Sequence, residues 1–173
     1  MGLKDIIEAM ADFFDQQQMD YGIIGAFALY SYGYIRATQD IDFITKAEYK
    51  DKIITHLESL GFETTFSSSA FSNHIHSVGP VRVDIMYIEG STAEEIFKAT
   101  EKRIILKDLS LPVVSPEHLI AMKLFAIQNN PDRKFKDLAD IKEIVGHTEV
   151  NKETVLSYFK KYGMEPLYNE VVG

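Results

Sequence analysis

The sequence predicts an α+β fold: a mixed sheet of about four to six strands, helices packed on it, and a helical C-terminal portion. Three observations carry this. Residues 40–44, Asp-Ile-Asp-Phe-Ile, alternate charge and hydrophobe at the two-residue period of a strand. Three strand-like runs then follow in close succession, at 62–66, 71–78 and 81–88. From Ser115 onward the apolar residues recur at helical spacing instead. With 173 residues and no Gly/Pro-rich linker, a single domain is expected, its core at about 20–114 and its helical portion at about 115–173.

Residues 3–18 place Ile6, Ile7, Met10, Phe13 and Phe14 at helical spacing, with Lys4, Asp5, Glu8 and Asp12 outward. A strand at about 22–25 runs into a small-residue turn, Gly25-Ala26, which opens a short helix at about 26–34. After the polar loop Arg36-Ala37-Thr38-Gln39 comes the alternating strand, at about 41–45. Residues 47–60 read as an amphipathic helix, with Tyr49, Ile53, Ile54, Leu57 and Leu60 inward, His56 partly exposed and Gly61 as the stop. Ser67-Ser68-Ser69 is a loop, and Gly79-Pro80 reads as a tight reversal. A helix at 91–100 is expected to be capped by Ser91 or Thr92, with Glu94 and Glu95 in its first turn. Short strands at about 103–106 and 111–114 precede Ser115-Pro116-Glu117, a helix start with serine as cap and proline at the first position.

The run 119–127 is apolar nearly all round and reads as a buried helix whose single charge is Lys123. Arg133-Lys134-Phe135-Lys136-Asp137-Leu138-Ala139-Asp140 follows, in a helix ended by Gly146. A last amphipathic helix spans about 152–162 on Val155, Leu156 and Phe159. The tail, MEPLYNEVVG, is short and partly apolar; it packs either on the domain or on a second subunit, as in a homodimer.

The absence of cysteine excludes disulfides, thiolate catalysis and zinc–thiolate sites, and fits the reducing cytoplasm expected for this chain. No apolar run approaches membrane-spanning length, and MGLKDIIEAM reads as an amphipathic helix rather than a signal peptide. No membrane partner is expected.

The chemistry concentrates in residues 21–45, YGIIGAFALYSYGYIRATQDIDFIT. As a strand, its last part puts Asp40 and Asp42 on one face and Ile41 and Phe43 on the other. Neighbouring carboxylates repel, so such a pair either stands in open water on an edge strand or shares a cation. Oxygen-only ligands select a hard cation, magnesium before calcium or manganese. Gly25 and Ala26 lack bulk, so the backbone amides there can approach a phosphate. A phosphate cradle followed by a two-carboxylate metal site is equipment for metal-assisted phosphoryl or nucleotidyl transfer. Asp84 adds a carboxylate in the middle of an apolar strand, where it either needs a partner or alternates with Arg82 on a half-wet face. The net charge of −8 argues against gripping long duplex, whereas a small metal-chelated nucleotide or a limited RNA end needs no broad basic surface.

A strand ending in Gly-small, a short helix, an Arg-x-Thr loop and then Asp-hydrophobe-Asp resembles the DNA-polymerase-beta-like nucleotidyltransferase superfamily. The chain is most similar to its minimal branch, which includes the nucleotidyltransferase toxins of abortive-infection systems. The resemblance covers about residues 20–145 and implies a nucleotidyltransferase-like core. It also implies transfer of a nucleoside monophosphate from an NTP, ATP included, to an acceptor hydroxyl, with Mg2+ (or Mn2+) and release of pyrophosphate. Asp40, Asp42 and Asp84 match the metal-binding and catalytic carboxylates. Gly25, Ala26, Arg36, Thr38, Lys123 and Arg133 (or Lys134) match positions that contact nucleotide or phosphate. A toxin–antitoxin arrangement with an antitoxin-like protein partner is implied as well. The family's second small residue is usually Gly or Ser; here it is Ala26, so the backbone does that work without a hydroxyl. The acceptor, whether an RNA end, a protein hydroxyl or a small molecule, is not written in these motifs.

Simpler roles compete at several positions. Arg36 also suits a surface loop, and Thr38 also suits ordering that loop through its hydroxyl. Lys123 either snorkels outward or meets an anion. Arg133 with Asp137, and Lys136 with Asp140, stand at the four-residue spacing of surface ion pairs. His74 and His76 weigh as a zinc or iron pair against ordinary hydrogen-bonded or solvated histidines. With a two-residue loop at Gly79-Pro80, Ile75 faces Asp84 and both histidines share a face with Val83 and Ile85, opposite Asp84. For the whole chain the competing function is a catalytically silent module that binds a nucleotide or protein, which Ala26 favours.

Overall fold

Every strand-like run of the sequence joins one sheet. The computed structural model describes residues 1–173. Its strands are β1 (Tyr21–Ile24), β2 (Asp40–Lys46), β3 (Phe62–Ser67), β4 (Phe71–His76), β5 (Arg82–Ile88), β6 (Glu101–Leu106) and β7 (Leu109–Val113). They line up as β3-β4-β5-β2-β1-β7-β6. The β2–β5 and β1–β7 pairs are parallel and the remaining pairs antiparallel, so the sheet is mixed and the α+β expectation holds. The sheet has seven strands, more than expected, because the β6–β7 hairpin is stitched on through Ile23 and Val113 and the Val114 N–H donating to the Ile23 carbonyl.

The helices are α1 (Leu3–Gln16), α2 (Gly25–Ser31), α3 (Lys50–Ser59), α4 (Gly90–Lys98), α5 (Pro116–Asn129), α6 (Lys134–His147), α7 (Lys152–Lys161) and α8 (Tyr168–Val171). The chain forms two compact units. One comprises Met1–Ser31 with Ile35–Val114, and the other Tyr32–Tyr34 with Ser115–Gly173. No helix is long and apolar enough to cross a membrane.

In the sheet unit α1 buries Ile6, Ile7, Met10, Ala11 and Phe14. Phe14 stacks on Tyr21 at 4.5 Å and meets Phe43 at 5.4 Å, joining helix, β1 and β2 in one aromatic core. These offset contacts add to the large apolar area each ring removes from water. His56, partly exposed on α3, stacks flat on Phe13 with ring centres 3.9 Å apart. In the helical unit the core is Leu119, Ile120, Leu124, Ile127, Ile141, Ile144, Val155 and Phe159. The tail packs here on its own chain: Val172 is buried and the Tyr168 ring meets the edge of Phe159 at 5.6 Å.

Ser115 caps α5 as expected, its hydroxyl accepting from the His118 N–H. Other local expectations are corrected. Residues 47–49 form a 3-10 turn before α3. Helix α4 begins at Gly90 after Glu89, with no side-chain cap from Ser91 or Thr92. Gly146 lies inside α6, which runs on to His147 with Thr148 as its cap, since a lone glycine weakens a helix without stopping it. Helix α5 is not buried all round, for Phe125 is 50% exposed.

Candidate active site

The acidic residues stand where two parallel strands run side by side. In the β2–β5 register Asp42 lies opposite Asp84, and Asp40 lies opposite Arg82. Side chains two apart on a strand, or opposite each other on neighbours about 4.8 Å apart, point to the same face. Asp40, Asp42, Asp84 and Arg82 therefore occupy one face as a square. Ile41, Phe43, Val83 and Ile85 turn to the other face and are buried there. The alternation that dictates strand formation thus also sorts the carboxylates from the core.

Each carboxylate has a distinct setting. Asp42 lies opposite Ile24 on β1, beside the bend where Gly25 opens α2. Gly25 holds φ at +66°, and a Cβ there would come within 2.1 Å of Asp42 Oδ2. Only glycine satisfies both conditions, so the close backbone approach read at this turn is made to Asp42 itself. Asp40 is fixed by Thr38, whose Oγ1 accepts from the Asp40 N–H and donates to the Asp40 carbonyl, both at 3.1 Å. Asp84 is half-buried, and desolvation pushes its carboxyl above the usual carboxylate range. A hydrogen bond from Asn73 opposes that shift, the charge of Asp40 adds to it, and Arg82 offsets it. The Asn73 Nδ2 donates to Asp84 Oδ1 at 2.7 Å.

Beside the square opens a cleft of about 670 Å³, lined by Ala37, Thr38, Gln39, Asp40, Ile75, Pro80 and Arg82. Arg36, half-buried, lies on the loop leading to it. Ala26 is nearly fully buried at the first turn of α2.

As a ligand set these groups are all carboxylate oxygen, the chemistry that suits a hard divalent cation. No three His, Cys, Asp or Glu side chains are gathered tightly enough to hold a metal as they stand. Three like charges on one face keep apart, and a shared cation is what would offset that repulsion. The donor chemistry and the common face fit such an ion.

The reversal between β4 and β5 is longer than expected. Asn73 lies opposite Asp84, His74 opposite Val83, and the His76 N–H donates to the Val81 carbonyl, leaving a four-residue loop at 77–80. A shift of two residues keeps every side chain on its face, so the histidines do lie on the other face of the sheet from Asp84. It replaces Ile75 by Asn73 as the partner of Asp84, and that residue was therefore missed. His74 is fully buried, with Nδ1 bonded to Thr64 Oγ1 at 3.1 Å and Nε2 to Ser72 Oγ at 2.8 Å. Ser72 bonds onward to Tyr87 Oη at 2.8 Å. Burial pushes the His74 imidazole down to about 4, so it is neutral. His76 Nδ1 meets the Val78 backbone at 2.9 Å. Both nitrogens of His74 are committed to hydrogen bonds, so it has none left to offer a zinc or iron pair.

In the helical unit Lys123 meets anions of its own chain. Its Nζ lies 2.7 Å from Asp140 Oδ2 and 3.4 Å from Asp137 Oδ1. Arg133 Nε reaches Asp137 Oδ2 at 2.9 Å, the expected four-residue pair. Lys136 is exposed and Asp140 turns to Lys123, so the expected Lys136–Asp140 surface pair gives way to a buried tertiary contact, with Asp137 and Asp140 at 0% and 3% exposure.

A family model described as nucleotidyl transferase AbiEii toxin, type IV TA system, matches residues 23–171. Among curated proteins none matches the sequence. Among solved structures, the antibiotic-resistance factor ANT(2'')-Ia is similar with a TM-score of 0.71 at 15% identity, over 96% of this chain and 94% of that one. The lincosamide antibiotic adenylyltransferase LnuA gives 0.55 at 16% identity, over 82% and 96%. An antigenic nucleotidyltransferase-like protein from Paracoccidioides brasiliensis gives 0.59 at 13%, over 98% and 92%. At these identities the likeness is one of fold.

Proposed function

Because the chain belongs to the nucleotidyl transferase AbiEii toxin family, we propose that its acidic sheet face transfers a nucleoside monophosphate from an NTP to an acceptor hydroxyl. The observation that carries this reading is the in-register Asp42–Asp84 pair with Asp40 on the same face. An antitoxin-like protein partner accords with the family's description as part of a type IV toxin–antitoxin system. The fold neighbours that modify antibiotics make a small-molecule hydroxyl one acceptor class, beside RNA ends and protein hydroxyls.

Asp40, Asp42 and Asp84 would hold Mg2+, or Mn2+ in its place. When bound, the ion supplies positive charge against the phosphate oxygens. The acceptor oxygen forms a bond to the α-phosphorus while the bond from that phosphorus to the bridging oxygen breaks. Pyrophosphate leaves with that electron pair. Asp84 takes the acceptor proton at Oδ2, because Oδ1 already accepts from Asn73. Gly25, followed by the small Ala26, lets the α2 bend close on Asp42 and so fixes that carboxylate beside the helix start. Thr38 holds Asp40 in place, and Arg36 lies on the adjoining loop as a cation for phosphate. Lys123 and Arg133 are bound to Asp137 and Asp140, and in this proposal they stabilise the helical unit.

Calorimetry with ATP, GTP, CTP and UTP, with and without Mg2+, followed by assay of pyrophosphate release in cell extract, tests the proposal. Mg2+-dependent binding with pyrophosphate release is expected. Tight binding with no release in any extract would instead identify a silent nucleotide-binding module, the reading Ala26 favours.

A further inference from the structure

We propose that Asn73 is a positioning residue for the acidic face, holding one oxygen of Asp84 so that the other is presented toward Asp42 and Asp40. The inference rests on the nucleotidyl-transfer reading above.

The geometry runs as a row across three strands: Asn73 on β4, Asp84 on β5, Asp42 on β2, each opposite the next. Asn73 Nδ2 reaches Asp84 Oδ1 at 2.7 Å, at the short end for a neutral donor and a charged acceptor. Asp84 faces two carboxylate neighbours, and repulsion alone would rotate its group away from them. One fixed oxygen removes that freedom and leaves Oδ2 on the side of β2. An amide is suited to this task because it donates without adding charge. A lysine or arginine there would neutralise the carboxylate and compete with any cation.

The residues flanking Asn73 hold the strand that aims it. Ser72 and His74 point to the opposite face, both fully buried, and lie within the chain Thr64–His74–Ser72–Tyr87 that ties β3, β4 and β5 together. Thr65 Oγ1 donates to the Asn73 carbonyl at 3.1 Å. Strand β4 is thus fastened on one face and along its backbone, while the Asn73 amide is left to face Asp84. Partners of metal-binding side chains act in this manner, and their loss weakens metal affinity or activity by about 10–100-fold.

The test uses the full chain and Mn2+ alone, with affinity read by electron paramagnetic resonance. Asn73→Leu removes the donor at similar size, and Asn73→Ser shortens its reach without adding apolar surface. Both are expected to bind Mn2+ about 10–100-fold more weakly than wild type, with melting temperatures within a few degrees of it. Asn73→Gln, which keeps the amide, is expected to recover part of the loss. In the Asp84→Asn background Asn73→Leu should add nothing further, because its effect passes through Asp84. In NTP turnover, kcat should fall while KM for the nucleotide stays near the wild-type value. Wild-type Mn2+ affinity in both Asn73→Leu and Asn73→Ser, with Asp84→Asn impaired, would overturn this inference alone. So would an undiminished Asn73→Leu effect in the Asp84→Asn background. A wild-type protein that binds no Mn2+ would overturn the acidic-centre reading and this inference with it.

Discussion

Each compact unit holds a cluster of aspartates, and the two clusters are built on opposite electrostatic terms. On the sheet face Asp40, Asp42 and Asp84 are half-buried and gathered on one face, with Arg82 in register opposite Asp40. In the helical unit Asp137 and Asp140 are almost fully buried, yet Lys123 reaches both and Arg133 holds Asp137. Buried charges that are matched belong to the framework of the fold; their partners cannot be removed without leaving a charge stranded. Like charges gathered on one face work against folding, and such groups concentrate where a ligand completes them. On the proposed reading the same residue type is structural in one place and functional in the other, and the gathering of like charges on one face is what sets the sheet cluster apart.

The largest effect should come from unbalancing the matched cluster. Lys123→Met removes the cation that reaches both buried aspartates, a change expected to destabilise by about 3–5 kcal/mol. For a chain of this size that lowers the melting temperature by roughly 10 °C. An unaltered melting temperature would show that the cluster is not part of the framework.

Beneath the acidic face, His74 provides a pH test. Its pKa is about 4 in the fold, depressed by burial, against an ordinary value near 6.5. The unfolded chain therefore binds the proton first. Stability is fully present above about pH 6.5 and is lost as pH falls from there to about 4, by up to about 3 kcal/mol. Urea melts across that window should show the slope in wild type and a flatter one in His74→Gln.

Gly25→Ala sets a methyl group against Asp42 in a left-handed backbone position. The backbone alone should cost about 1–2 kcal/mol. Displacement of Asp42 should reduce transfer far more than this stability loss explains, so the two readouts separate. The smallest effect is expected from Asp84→Asn. The fold raises the pKa of Asp84, so at neutral pH its charge opposes folding, and the penalty disappears as pH falls through the raised value toward and below the ordinary one. The variant should be slightly more stable than wild type at pH 7 and equal to it at acid pH, where the carboxyl is protonated in both states. A marked loss of stability at pH 7 would place Asp84 in the framework and erase the contrast.

Much of the acidic face was legible because strand alternation sorts side chains by face whatever the register. Asp40 and Asp42 could be set opposite Ile41 and Phe43 from spacing alone, and Asp84 could be recognised as an odd charge in an apolar run. Asn73 could not be found this way. Its pairing with Asp84 depends on the length of the loop before β5, and Gly79-Pro80 marks a reversal without specifying that Ser77 and Val78 join it. The helical cluster shows a similar limit. Arg133–Asp137 is a local pair visible in spacing, whereas the partner of Asp140 lies 17 residues away on α5 and becomes visible only when two helices pack.

The most direct measurement is transfer of label from an α-phosphate-labelled NTP in cell extract with Mg2+, comparing wild type with Asp42→Asn. Wild type should place label on an acceptor and release pyrophosphate, while Asp42→Asn should do neither yet remain folded, with a cooperative thermal melt. Full transfer by Asp42→Asn would contradict the account.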